Sequence, residues 1–169
     1  MVGIILGSDS DLGTMGKAAE LLERFGVSYE MRILSAHRQP EELKEYAKKA
    51  EGRGIKVLIA GAGLSAALPG MLAAYSMLPV IGVPMGGQAL AGMDSLFSIA
   101  QMPPGVPVGC MGIGGAVNAA LFALRILALE DPGLRKNLAL YQQDMEEKNN
   151  QKDQRLAALG YKDYKGNAD

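Results

Sequence analysis

"VGIILGSDSDLGTMGKAAELLERF", residues 2–25, contains the transition on which the fold turns. Val2 to Leu6 is apolar without alternation, the pattern of a strand covered on both faces rather than one. It runs into a polar turn, "GSDSD" at 7–11, and then into 11–25, where apolar residues fall three and four apart, as on one face of a helix. A strand that passes directly into a helix begins a crossover, and a crossover returns the chain parallel to where it started.

The same alternation continues outward. Apolar runs at 28–34 "SYEMRIL", 56–60 "KVLIA", 79–83 "PVIGV" and 106–110 "VPVGC" predict four more strands. Segments 40–53, 66–77, 94–100 and 114–130 predict the helices between and after them. The expected fold is α/β: a three-layer, doubly wound parallel sheet, flavodoxin- or Rossmann-like, with a C-terminal helical extension. Residues 1–130 form the α/β catalytic domain on this reading, and 131–169 the extension, where "YQQDMEEKNNQKDQRLAALGYKDY" reads as one long polar helix or two, fraying after Tyr164. The helix at 114–130 is apolar nearly all round, interrupted only by Asn118 and Arg125, which implies burial against another subunit and hence a homo-oligomer. The extension is expected to pack on a neighbouring subunit, with a simple solvated helix as the alternative.

Composition narrows the function. With 169 residues the chain can bury a core without disulfides or a structural metal. Its one cysteine, Cys110, and one histidine, His37, provide no metal-site spacing, which points to a reduced, cytoplasmic, metal-free protein. The N-terminal apolar run has no basic residues before it and reads as neither a signal peptide nor a membrane span. Seventeen Lys and Arg against 18 Asp and Glu leave a net charge of -1, and six tyrosines and three phenylalanines, with no tryptophan, offer few stacking surfaces, so nucleic acid is not an expected partner.

Open parallel sheets bind ligands beyond the carboxyl ends of their strands, so the residues that follow each apolar run carry the chemistry. "GSDSD" lacks the later glycines of a dinucleotide fingerprint and is no Walker loop. Ser8 and Ser10 put hydroxyls beside the amides that open the next helix, where a phosphate is stabilised. Local turn bonding is the alternative. Asp11 either caps that helix or accepts hydrogen bonds from a ribose diol.

"SAHRQP" at 35–40 brings Ser35, His37 and Arg38 to the end of the second strand, ahead of Pro40 at a helix's favoured first turn. Arg38 offers a planar fork of donors for phosphate or carboxylate, or pairs with Glu41 or Glu42. His37 is the one side chain able to exchange protons near neutrality without a large pKa shift, with an exposed or structurally bonded imidazole as the alternative. "GAGLSAALPGM" and "GVPMGGQALAGMDS" are built of small residues that let backbone approach a ligand, or simply pack tightly. Ser65 and Ser95 have no second histidine to form a triad, Asp94 reads as a helix cap, and Cys110 as a small core residue.

"GSDSDL", "SAHRQP", "AGAGLSAALPGM", "PVIGVP", "DSLFSIAQMPPGVPVG" and "NAALFALRIL", in this order, closely resemble the class I N5-carboxyaminoimidazole ribonucleotide mutases of purine biosynthesis, the PurE family. The likeness runs from about Val2 to Leu129, and more weakly through the tail. It implies a cytoplasmic octamer that moves a carboxylate from the exocyclic amine of a nucleotide to ring carbon C4 by decarboxylation and recarboxylation, with no cofactor and no metal. It also implies His37 as catalytic acid and base, Ser8, Asp11 and Arg38 as nucleotide-binding residues, Ser10 and Ser35 as supporting hydroxyls, and Ala62 and Gly63 as the wall around the base. Arg38 favours this class over the related direct carboxylases, which typically carry Lys there. The chain departs from the family's usual "GGAAHLPGM", with Leu64 standing for a glycine and Ala67 for a histidine, and the usual Lys-Thr a few residues later reads Tyr75-Ser76. A direct aminoimidazole ribonucleotide carboxylase and a non-catalytic ribonucleotide-binding relative are the alternatives. A flavodoxin-like electron carrier is disfavoured, since no Ser/Thr-rich phosphate loop or aromatic flavin sandwich is present.

Overall fold

A computed structural model describes residues 1–87 and 89–166. Five parallel strands, β1 (Val2–Leu6), β2 (Tyr29–Ile33), β3 (Val57–Ala62), β4 (Val80–Pro84) and β5 (Gly109–Cys110), lie in the order β2-β1-β3-β4-β5. Helices α1 (Leu12–Arg24), α2 (Pro40–Ala50), α3 (Leu68–Tyr75), α4 (Met93–Ala100) and α5 (Ala116–Leu127) cover both faces, which makes this a flavodoxin-like α/β fold. On one face α1 packs with α5; on the other, a core of Ile5, Leu43, Tyr46, Leu58, Leu68, Leu72 and Ile99 joins α2, α3 and α4 to the sheet. β1, β3 and β4 are buried along their whole lengths, as their unbroken apolar runs require.

Register matters most for function. Leu6 pairs with both Ile33 and Gly61, and Gly61 with Val83, so the carboxyl ends of four neighbouring strands finish level and release their loops onto one edge. β5 is shorter than its apolar run, with pairing confined to Gly109 and Cys110. Pro107 sits inside the expected strand and has no N–H for the ladder. Cys110 is half-buried against the core as a free thiol, its Sγ–H donating to the Met111 carbonyl at 3.4 Å.

Other boundaries differ in informative ways. A 3-10 turn at Asp9–Asp11 precedes α1, and a second at Glu51–Arg53 continues α2. α4 opens one residue before Asp94, with Gly92 in the left-handed region (φ 90°) as its N-cap. Asp94 is therefore not the expected cap; it lies in the first turn, and its Oδ1 is enclosed without a hydrogen-bond partner among the described residues.

Met1–Leu127 and Ala128–Asp169 form two compact units. In the first, α5 buries Ala116, Ala119, Ala120, Ala123 and Leu124, while Val117 and Phe122 stay roughly two-fifths exposed. A single chain thus buries one face of this helix rather than its whole girth. The second unit is one long helix, α6 (Pro132–Asp163), interrupted at Gly160 (φ 71°, ψ 159°). Asp131 caps it, its Oδ1 accepting from the Leu134 N–H at 2.9 Å, and pairs such as Lys148 to Asp144, 2.7 Å, line its surface. Tyr164 ends the helix, and the rest of the expected frayed end, 167–169, lies outside the described residues. No helix among the described residues is long and apolar enough to cross a membrane.

Candidate active site

The level strand ends enclose a cavity of about 510 Å³. Its lining includes every residue singled out above for binding or chemistry: Ser8, Ser10 and Asp11 after β1; Ser35, His37 and Arg38 after β2; Ala62 and Gly63 at the end of β3. Leu64, Ala67 and the Met85–Gly87 stretch after β4 close the remaining side. Gln88, within the same β4–α4 loop, lies outside the described residues.

The β1 turn organises its own polar groups. The Ser8 Oγ–H lies 3.1 Å from Asp9 Oδ1, and Ser8 Oγ accepts from the Ser10 hydroxyl at 2.9 Å and the Ser10 N–H at 3.3 Å. Local turn bonding therefore exists, and both serines also line the cavity at the 3-10 turn that leads into α1. Asp11 occupies the N-cap position of α1 but makes no side-chain cap bond. Burial pushes its carboxyl above the ordinary value; a backbone hydrogen bond at Ser8 opposes this and the Asp9 charge adds to it. A half-enclosed carboxyl that caps nothing and borders a cavity is available to a ligand's hydroxyls.

The β2 turn is braced from within. The Leu34 N–H donates to the Leu6 carbonyl at 2.9 Å, which carries the strand pairing one residue further. Ser35 Oγ accepts from both the N–H and the Nε–H of Arg38, each at 3.3 Å, while the Gln39 N–H donates to the Ser35 carbonyl at 2.8 Å. Gln39 Oε1 accepts from the Ser35 N–H at 3.3 Å, and Pro40 then starts α2. These bonds fix the turn from Ala36 to Arg38, so that His37 stands exposed on the cavity wall. Arg38 does not pair with Glu41 or Glu42. Its Nη2 reaches the Gly7 carbonyl at 3.4 Å, and Glu41 pairs with Lys44 instead. The guanidinium thus lies between the first two loops with no carboxylate partner among the described residues.

The third and fourth sides are apolar. Behind these sides Gly61 lets two methionines pack close to β3: a Cβ there would lie 2.7 Å from Met15 Sδ and 2.8 Å from Met85 Cε, the flexible ends of both side chains. The Met85 N–H donates to the Ala62 carbonyl at 2.9 Å. Ser95 is fully buried, its hydroxyl 2.8 Å from the Met85 carbonyl and 2.9 Å from that of Gly92. It is a pin for the β4–α4 loop and no nucleophile. Gln39 is a structural contributor that sequence reasoning missed, and Ser95, weighed there only as a nucleophile, braces the loop instead; only their positions flanking ligand-edge loops signal these roles. No cluster of three His, Cys, Asp or Glu side chains suited to a metal ion occurs among the described residues.

Comparisons with known proteins converge on one group. A family model described as AIR carboxylase matches residues 1–148. A protein of Pyrococcus horikoshii named N5-carboxyaminoimidazole ribonucleotide mutase is 56% identical over 164 residues, covering 97% of this chain and 93% of that one. A Candida albicans protein named phosphoribosylaminoimidazole carboxylase is 50% identical over 97% of this chain, which spans 29% of the longer relative. The crystal structure of Treponema denticola PurE superimposes with a TM-score of 0.84 at 33% identity, covering 92% of this chain and 97% of that one.

Proposed function

The chain belongs to the AIR carboxylase family, and from that premise we infer that its cavity is the site of an intramolecular carboxylate transfer in purine biosynthesis, the activity of an N5-carboxyaminoimidazole ribonucleotide mutase. The observation that supports the residue assignments is the convergence of the lone imidazole, an unpaired guanidinium and a non-capping carboxyl on one cavity at the sheet's ligand edge.

In this reading the substrate's phosphate lies against Ser8 and Arg38, supported by Ser10 and Ser35, and Asp11 accepts from the ribose hydroxyls. The base faces Ala62, Gly63 and the small-residue wall. His37 delivers a proton to the exocyclic nitrogen; the carbon–nitrogen bond breaks with its electron pair left on nitrogen, and the carboxylate departs as carbon dioxide. Ring carbon C4 then attacks carbon dioxide, and its proton passes to His37, restoring the ring's aromaticity and the imidazolium together. Every proton in the cycle is accounted for by that one residue. Remote phosphate binding holds the base in place while the freed molecule is confined beside the carbon it must meet.

The assembly belongs to the same reading. The exposed Val117 and Phe122 on α5 suit a subunit contact, with α6 laid on a neighbour and eight copies forming the particle. A free Cys110 suits the reducing cytoplasm.

The test is formation of the C4-carboxylated nucleotide, followed by ultraviolet absorbance, with wild type and His37→Asn. Wild type converts N5-carboxyaminoimidazole ribonucleotide; His37→Asn binds it and does not. Equal rates in both would remove His37 from the chemistry. The fungal relative's name motivates a second arm: if turnover starts from the decarboxylated nucleotide plus bicarbonate and not from the N-carboxylated one, the chain is a direct carboxylase.

A further inference from the structure

Leu64 combines two unfavourable states at the cavity's edge. It lies in the turn from Gly63 to Ala66, closed by the Ala66 N–H donating to the Gly63 carbonyl at 3.0 Å, and its φ of 55° lies in the left-handed region where glycine, asparagine and aspartate dominate. Its isobutyl group is 70% exposed on the single chain, although it lines the cavity. A glycine there would remove the backbone strain and the apolar exposure together, so the turn itself gives no reason for leucine.

The surroundings supply one. Ala66, Ala67 and Leu68 continue the wall from Leu64, and Met85 closes it, so the side of the cavity facing the base offers carbon dioxide an apolar surface and offers bicarbonate no cationic side chain. Leu64 is the large apolar group that stands at the solvent border of that wall. We propose that Leu64 is a partition-determining residue: its side chain covers the open side of the cavity over the freed carbon dioxide and sets the fraction of turnovers that end in recapture at C4 rather than escape. This rests on the mutase reading above. The bond changes are those already given; an escape event leaves the neutral amine on the decarboxylated nucleotide, releases carbon dioxide to solvent, and has His37 regain from water the proton that C4 would have returned. Keeping that molecule in and water out is a matter of confinement rather than bonding, which an aliphatic side chain suits.

The experiment follows the migrating carbon. Substrate carrying ¹³C in its carboxylate is turned over in unlabelled bicarbonate with carbonic anhydrase present, and label retention in the C4-carboxylated product is read by mass spectrometry. Wild type retains the label. Leu64→Gly and Leu64→Ala raise the ratio of unlabelled to labelled product by about tenfold, the lower end of what a lost apolar contact in a pocket is worth. Leu64→Met, which keeps an apolar side chain of similar volume, restores retention. If Leu64→Gly folds poorly, Leu64→Ala carries the comparison. Equal retention in all variants, or loss in Leu64→Met as large as in Leu64→Gly, overturns the proposal and leaves the mutase reading standing. A wild type that forms no C4-carboxylated product overturns both.

Discussion

Ser95→Ala tests whether the cavity's fourth side is held from behind. The hydroxyl makes a three-centre bond to the carbonyls of Met85 and Gly92. Gly92 keeps a second donor when it is removed, since the Leu96 N–H also reaches that carbonyl at 2.9 Å. Met85 is left with an enclosed carbonyl that has no other hydrogen-bond donor among the described residues, which costs about 2 kcal/mol. For a chain of 169 residues that lowers the apparent Tm by roughly 4–8 °C. Met85 also lines the cavity, so loosening it raises KM more than it lowers kcat. Differential scanning fluorimetry and steady-state kinetics read the two effects. A Tm drop below about 1 °C with unchanged KM would refute the idea that this bond shapes the site.

Further outcomes follow from the same geometry. Arg38→Lys replaces a planar fork with a point charge that cannot bridge Ser35 and Gly7, and KM should rise about tenfold or more with the larger share of kcat retained, measured by initial rates. Asp11 is mainly raised above its ordinary 3.8 by burial, so its protonated form is the one the fold favours; that stabilisation is complete below 3.8 and is lost as pH rises through the raised folded value. Asp11→Asn should therefore melt higher than wild type at pH 7, with the gain vanishing below pH 3.8, while nucleotide binding weakens; a gain that grows in acid would contradict this. Gly61→Ala brings a methyl to within 2.8 Å of Met15 Sδ and Met85 Cε, flexible side-chain ends that can shift aside, and should cost no more than about 1 kcal/mol by denaturant melt, with KM raised through the displaced Met85.

The residues that follow each strand were legible because parallel strands that end level deliver their loops to one edge, so Ser8, His37 and Ala62 could be grouped without coordinates. β1, β3 and β4 were legible from unbroken apolar runs, whereas β2 mixes Glu30 and Arg32 into a partly exposed edge strand and β5 pairs only at Gly109 and Cys110, beyond Pro107. What sequence did not disclose depends on hydrogen-bond geometry. Whether Asp11 caps α1 or faces the cavity turns on one rotamer, and whether Arg38 pairs with Glu41 or reaches the Gly7 carbonyl is settled across 31 residues of chain. Asp94 failed as a cap because Gly92, at positive φ, starts α4 first. Leu64's left-handed backbone runs against its residue type, so propensity pointed away from it.

Arg38, engaged only by neutral acceptors among the described residues, leaves its full positive charge unneutralised at the rim of an otherwise nearly balanced protein. An approaching anion therefore feels that charge out to about 30 Å at 0.01 M ionic strength and only about 3 Å at 1 M. On the proposed reading association accelerates as ionic strength falls, and sulfate or inorganic phosphate carried over from purification competes for the guanidinium and raises the apparent KM.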